Sequence, residues 1–320
     1  MLSLFLKKAF SLLITFLIII SATFFLMKLT PGDPFHDEKA LPKEIHNSLK
    51  EHYGLNAPLY EQYVKYITSV IKWDFGPSFK YKSRSVNDII NEGFPVSLLL
   101  GLEALFIALS IGIVIGTIGA LNYDKWLDTS AMIFIVLCIS IPNFAIATLL
   151  QYFIAIKLEF LPVARWGTFA HTLLPALSLA TLPGAFIGKL IRRQMIDVLQ
   201  QDYIKTAKAK GLSDKEVLFK HVLRNSLLPV VAYLGPLTAN ILVGSFVIEK
   251  IFAIPGLGQW FVKSVMNRDY TAIMGLTVFY SLLLLSTVFI FEMISILIDP
   301  RIKDNFSKMK STTFGEACEV

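Results

Sequence analysis

Few side chains in this 320-residue sequence are spaced for chemistry. The five histidines, His36, His46, His52, His171 and His221, are scattered. There is no H-E-x-x-H run and no paired-cysteine spacing, so no metal centre is expected. Cys138 lies in an apolar run and Cys318 near the end, which leaves no disulfide framework. Gly184-Ala185-Phe186-Ile187-Gly188-Lys189-Leu190 approaches the phosphate-binding pattern G-x-x-x-x-G-K-[ST]. It is one residue short, lacks the hydroxyl and sits at the end of an apolar run. Glu103 and Glu292 are acids inside apolar runs, the kind of group that lines an ion or proton path. Each lies near the end of its run, where hydration or a hydrogen bond within a helix bundle accounts for it as well. No catalytic group and no cofactor follow from these residues.

One polar stretch stands apart, residues 194–229. Ile196, Leu199, Tyr203 and Ala207 keep a helical spacing. Gly211 is expected to stop that helix, since glycine takes the left-handed position after a helix without a Cβ clash. Ser213 with Glu216 forms the S-x-x-E capping-box pattern that opens a second helix. Val217, Leu218, Phe219, Val222 and Leu223 give this helix an apolar side, and Lys215, Lys220, His221 and Arg224 a cationic one. The plain alternative is a loop carrying solvated charges.

The elements around this stretch are set by composition. Mean hydropathy is +0.60, 54% of residues are hydrophobic and 17% are charged. Soluble domains carry about 25% charged residues, so the chain reads as an all-α integral membrane protein. The pI of about 9.1 could suggest nucleic acid. The charges, however, fall between apolar runs as topology signals do, and no nucleic-acid partner is expected. Six runs are long enough for the ~30 Å hydrocarbon core. They are residues 9–27, 96–121, 129–156, 169–188, 227–248 and 271–298. The third is long enough to tilt or bend, and Pro142 marks the bend. The first follows Lys7 and Lys8 and reads as a retained span, not a cleaved leader.

Lys and Arg set the expected orientation. Residues 189–226 hold nine cations against four acids, and Lys7, Lys8, Lys125 and the tail cations fall on the same side. By the positive-inside rule that side is cytoplasmic and both termini lie there. Residues 30–95 and 249–270 then face outward. Residues 43–53 and 59–72 have short helical patterns. In the second outer segment, Pro255-Gly256-Leu257-Gly258 is expected to turn the chain back against the bundle or along the interface. With no energy source in the chain, a structured basic helix pair between spans suggests a partner ATPase.

Here the residues carry a resemblance. Ala207-Lys208-Ala209-Lys210-Gly211, followed by Leu228-Pro229, resembles the EAA-type signature of ABC importer permeases. Lys205-Thr206-Ala207 stands where Glu-Ala-Ala is usual, and Leu-Pro comes late after the glycine. That variant resembles the dipeptide, oligopeptide and nickel branch. Leu29-Thr30-Pro31-Gly32-Asp33-Pro34, Gly54-Leu55, Ile141-Pro142-Asn143-Phe144, Pro255-Gly256-Leu257-Gly258, Asn267-Arg268-Asp269-Tyr270 and Asp299-Pro300-Arg301 fit the same branch. Gly76-Pro77-Ser78-Phe79 and Phe94-Pro95-Val96-Ser97 resemble the B-type permease of the oligopeptide group.

The resemblance implies a type I ABC importer transmembrane domain over residues 96–299. An extra first span (1–29), an outer cap (30–95) and a cytoplasmic tail (300–320) accompany it. It implies a non-enzymatic subunit of the cell inner membrane that lies in lipid and moves oligopeptides; dipeptides, murein peptides or nickel are the alternatives. The implied partners are a homologous second permease subunit, two ABC ATPase subunits that hydrolyse the ATP, and an extracytoplasmic peptide-binding protein. Residues 213–225 would be the coupling helix. The residues implied in ATPase contact are Ala207, Gly211, Leu212, Ser213, Glu216, Val217, Leu218, Phe219, Val222, Leu223, Arg224 and Pro229. An ion-coupled carrier is the competing class, but it calls for an internal inverted repeat and none is visible.

Overall fold

The computed structural model describes residues 2–30, 56–81, 83–242 and 244–298. The expected helix over 43–53, the Pro31–Pro34 run, Gly54-Leu55 and the 300–320 tail lie outside the described residues. Within them the chain is helical, and no β-strand forms beyond an isolated antiparallel bridge between Pro77 and Ser85. The helices are α1 (Leu2–Leu29), α2 (Leu59–Ile71), α3 (Val86–Leu121), α4 (Trp126–Ser140), α5 (Asn143–Leu150) and α6 (Phe169–Leu199). They continue as α7 (Asp202–Ala209), α8 (Asp214–Val217), α9 (Arg224–Ser226) and α10 (Leu228–Leu242). The last are α11 (Phe246–Ile251), α12 (Leu257–Met266) and α13 (Tyr270–Ile298). Two π-type stretches, Gln151–Lys157 and Leu218–Leu223, prolong α5 and α8.

Among the described residues, five helical stretches are long and apolar enough to cross a membrane, and a bent pair, α4 with the α5 stretch, makes a sixth if counted as one span. The bend is sharper than a tilt or a kink, at 104°. Its cause is local. Ile141 precedes a proline and is pushed into the extended region, at φ −87° and ψ 125°, while Pro142 starts the next helix at φ −59°. Neither half alone reaches across the hydrocarbon core, since 15 residues of α4 span only about 22 Å. Three helices overrun their expected limits, among them α1, which runs from Leu2 to Leu29. α3 starts ten residues before Val96 and passes through Pro95, and α6 runs beyond Gly188 through Lys189, Arg192 and Arg193 to Leu199.

The chain packs as two compact units. The first comprises residues 1–98, 243–250 and 254–285. Its core joins Ile20 of α1, Val70 of α2, Val86, Ile89 and Ile90 of α3, Leu257 of α12 and Ala272, Leu276 and Phe279 of α13. α2 lies along α1: the Ser21 and Tyr63 hydroxyls share a hydrogen bond of 2.6 Å, Lys28 donates to Gln62, and Phe24 meets the Tyr63 and Tyr66 rings.

The second unit comprises residues 99–242, 251–253 and 286–320. Between α3 and α6, hydrophobic burial does little in lipid, so close van der Waals approach must hold the pair. Gly112 and Gly116 face Gly184 and Gly188. A Cβ on Gly112 would stand 2.7 Å from the Gly184 carbonyl oxygen, and one on Gly116 2.5 Å from that of Gly188. The glycines that mimic a phosphate loop are therefore a small-residue packing seam. α4 closes the other side of α6 through Ile135, Cys138 and Ala185.

Candidate functional site

The basic stretch folds as a helix pair, with one departure from the expected layout. The run from Ile196 to Ala207 is not one helix. α6 ends at Leu199, Gln201 turns extended at φ −73° and ψ 146°, and α7 begins at Asp202. α7 then ends as expected. Gly211 sits at φ +81°, the Gly211 amide donates to the Lys208 carbonyl at 2.9 Å, and the Leu212 amide donates to the Ala207 carbonyl at 3.3 Å. Those two bonds are the Schellman pattern, which satisfies carbonyls that the helix end would leave bare.

Ser213 and Glu216 complete the capping box. The Glu216 amide donates to Ser213 Oγ at 3.3 Å, and the Ser213 amide and hydroxyl donate to Glu216 Oε2 at 3.1 and 2.9 Å. The Ser213 side-chain bond, then its backbone bond, hold the Glu216 carboxyl below the usual carboxylate range. Two longer links brace the pair: Lys208 Nζ lies 3.1 Å from Asp214 Oδ1, and Asn225 Nδ2 donates to the Tyr203 hydroxyl at 2.9 Å.

The apolar side divides in a way that helical spacing does not foresee. Val217 and Val222 are buried, Leu218 and Leu223 are half-buried, but Phe219 is 66% exposed. Its position falls in the π-type stretch, where the extra residue per turn rotates later side chains out of α-register. Ala207 is buried, Leu212 and Pro229 are half-buried, and Gly211, Ser213, Glu216 and Arg224 are exposed. Behind the turn is a cavity of about 300 Å³ lined by Leu121, Leu199, Val217, Leu218 and Val222, with Lys208, Asp214 and Lys215 at its edge. This site has no reacting group. It offers an exposed aromatic ring among Lys215, Glu216 and Lys220 on a braced backbone, which suits docking rather than catalysis.

Three polar arrangements outside this stretch had no simple sequence signal. In the first unit, Glu249 is fully buried. It accepts from Ser97 Oγ at 2.8 Å and from the Gln259 amide at 3.0 Å, while Ser97 accepts from the Leu257 amide at 2.8 Å. The carboxyl thus caps α12, whose own N-cap residue is Gly256. A Cβ on Gly256 would run into that carboxyl. In the same unit Asp269, also fully buried, accepts from Ser78 Oγ, from the Phe79 amide at 3.2 Å and from the Ala272 amide at 3.2 Å. These two acids hold residues 257–272 in the first unit through the starts of α12 and α13.

The third arrangement belongs to the second unit, where Arg192 donates from Nε and Nη2 to Asp128 at 2.5 and 2.6 Å. Of the acids inside spans, Glu103 keeps a buried Oε2 without a hydrogen-bond partner among the described residues, and Glu292 has an interaction partner. His171 is satisfied by capping α6 with Thr168, Nδ1 to Oγ1 at 2.8 Å. No group of metal-ligating side chains gathers among the described residues.

Residues 112–304 match the family described as the inner membrane component of binding-protein-dependent transport systems, and residues 1–101 match its N-terminal companion. The dipeptide transport system permease protein DppB of Bacillus subtilis is 50% identical over 93% of this chain and 96% of its own length. The oligopeptide transport system permease protein OppB of Haemophilus influenzae is 43% identical over 93% and 98%. The fold is that of a methionine ABC transporter solved in inward-facing conformations, at TM-score 0.57 and 15% identity over 66% of this chain and 96% of that one. An amino acid ABC transporter gives TM-score 0.51 and 16% identity over 65% and 94%. The chain belongs to the inner membrane components of binding-protein-dependent transport systems, in the branch that holds the dipeptide and oligopeptide permeases.

Proposed function

We propose that this chain is the permease subunit of an ATP-driven importer of oligopeptides, and that residues 202–226 are the element on which an ATPase subunit acts. The observation that carries the reading is the braced helix pair with Phe219 exposed on its second helix. A lone exposed phenylalanine on a rigid, basic support is a common anchor for a partner's apolar pocket. Both termini and this pair lie in the cytoplasm, and residues 249–269 lie outward with the 30–95 cap. The second permease subunit completes the path, an extracytoplasmic binding protein delivers the peptide, and ATP is hydrolysed on the partners. ATP binding draws the ATPase subunits together, and the helix pair passes that movement to α6 and α10, with which it is covalently continuous.

Dipeptides are the second reading, favoured by the 50% identity to the Bacillus dipeptide permease. Uptake of labelled tri-L-alanine and di-L-alanine into cells with and without this chain separates the two. Loss of tripeptide uptake alone, in a deletion strain, is the expected result. Equal loss of dipeptide uptake points to the second reading, and unchanged uptake of both removes peptides as the cargo. Collapsing the proton gradient at constant ATP is expected to leave uptake intact; loss of uptake would return the ion-coupled alternative.

A further inference from the structure

From the geometry of the second unit we infer that Asp128 and Arg192 form a positioning clasp. It fastens the turn between α3 and α4 to α6, so that movement delivered to the helix pair reaches α3 and α4 as well as the spans it is joined to. The inference rests on the reading of residues 202–226 as the ATPase contact.

The clasp is the polar end of the α3–α6 seam. Gly112 meets Gly184, Gly116 meets Gly188, and one step further Gly119 lies against the pair itself. A Cβ on Gly119 would stand 3.2 Å from Asp128 Oδ1 and 3.3 Å from Arg192 Cδ, so the third small residue makes room for the ions. Both partners are shielded, with 6% of the Asp128 and 20% of the Arg192 side chain exposed. Asp128 Oδ2 also accepts from the Asp124 amide at 3.1 Å, and Asp124 is held at φ +61°, a conformation uncommon outside glycine. The Arg192 guanidinium faces the Tyr123 ring at 5.5 Å.

An ion pair is a poor choice for stability alone, since apolar residues of similar volume in a shielded site hold a fold as well or better. A bidentate pair fixes something that an apolar contact does not, namely the angle between the two elements that carry it. Its place fits that task. Arg192 lies two turns before the end of α6, the helix onto which the π-type stretch and α9 pack, and its neighbours Ile191 and Met195 are fully buried. With the fork intact, α6 and the start of α4 move together; without it, only apolar packing joins them and their relative angle is less firmly set.

The test uses the assembled importer in proteoliposomes, with tri-L-alanine as the peptide. In Asp128→Asn and Arg192→Lys, peptide uptake is expected to fall about tenfold and the rise in ATP hydrolysis caused by peptide-loaded binding protein to disappear. Basal hydrolysis and the amount of subunit in the membrane stay at the wild-type level. Arg192→Lys keeps the charge but loses the planar fork, with its second hydrogen bond and its face toward Tyr123, so it carries the decision if Asp128→Asn does not accumulate. Wild-type stimulation in a normally abundant Arg192→Lys importer overturns the inference and leaves the pair as a staple of the fold. Phe219→Ala, measured alongside, keeps the two readings apart. If Phe219→Ala uncouples and Arg192→Lys does not, the clasp alone fails; if Phe219→Ala stays coupled, the ATPase contact itself is misplaced.

Discussion

The basic helix pair and the 249–269 segment are both short helices joined by a turn, and they are held by opposite means. In the helix pair the turn is closed from within. Gly211 gives the left-handed residue, Leu212 and Ala207 close the helix end, and Ser213 and Glu216 cap the next helix from three residues apart. In the 249–269 segment the acids that cap the helix starts are themselves tied to remote residues. Glu249 caps α12 with help from Ser97, 152 residues away, and Asp269 draws in Ser78 from a distance of 191 residues. Local closure leaves the outer side chains free to meet a partner. Remote closure commits buried carboxylates to the fold and makes each one costly to remove, because their donors have no water to turn to.

That contrast can be broken most strongly at Glu249. Glu249→Ala leaves the Gln259 amide and the Ser97 hydroxyl without their acceptor and opens a void. Thermal unfolding in detergent is expected to show a loss of about 3 kcal/mol. A loss under about 1 kcal/mol would mean that water reaches the cradle and that the segment is not remotely closed. Gly211→Ala is expected to cost about 1 kcal/mol by the same assay. A Cβ there meets nothing within 4 Å, so only the strain at φ +81° counts. A larger loss would show the turn to be packed against something.

Ser213→Ala is the smallest of the three, a loss of about 0.5–1 kcal/mol of local helix stability. It carries a pH signature. The folded Glu216 carboxyl lies below its unfolded value, so the capping contribution is fully present above the unfolded value, about pH 4.3. It fades as pH falls through the depressed folded value. Amide protection over residues 214–217, corrected for intrinsic exchange, should drop in acid in the wild type and drop less in Ser213→Ala, where only the backbone amide at 213 still binds the carboxylate. An undiminished acid drop in Ser213→Ala would mean another group titrates there.

What could be read from the sequence follows the same division. The Gly211 stop, the Ser213–Glu216 box, the bend at Pro142 and the helix at α2 all depend on neighbours within a few residues. Each was legible because its cause is local. Three features depend on contacts between remote segments, or on a backbone register that no periodicity rule assigns. Phe219 looked like one more apolar position until the π-type stretch turned it outward. Gly184 and Gly188 resembled a failed phosphate loop, while their role as a helix seam requires Gly112 and Gly116 on another helix. Glu249 was one acid at the end of an apolar run. Its partners Ser97 and Gly256 stood in recognisable motifs, but nothing in their spacing joined them.

The central claim is that the helix pair touches the ATPase, and photocrosslinking tests it most directly. A photoreactive residue replaces Phe219, and in a parallel protein Val222, within the assembled importer. The account predicts an adduct of the size of permease plus ATPase subunit from position 219 and none from the fully buried position 222. No ATPase adduct from 219, or equal adducts from both positions, would contradict it.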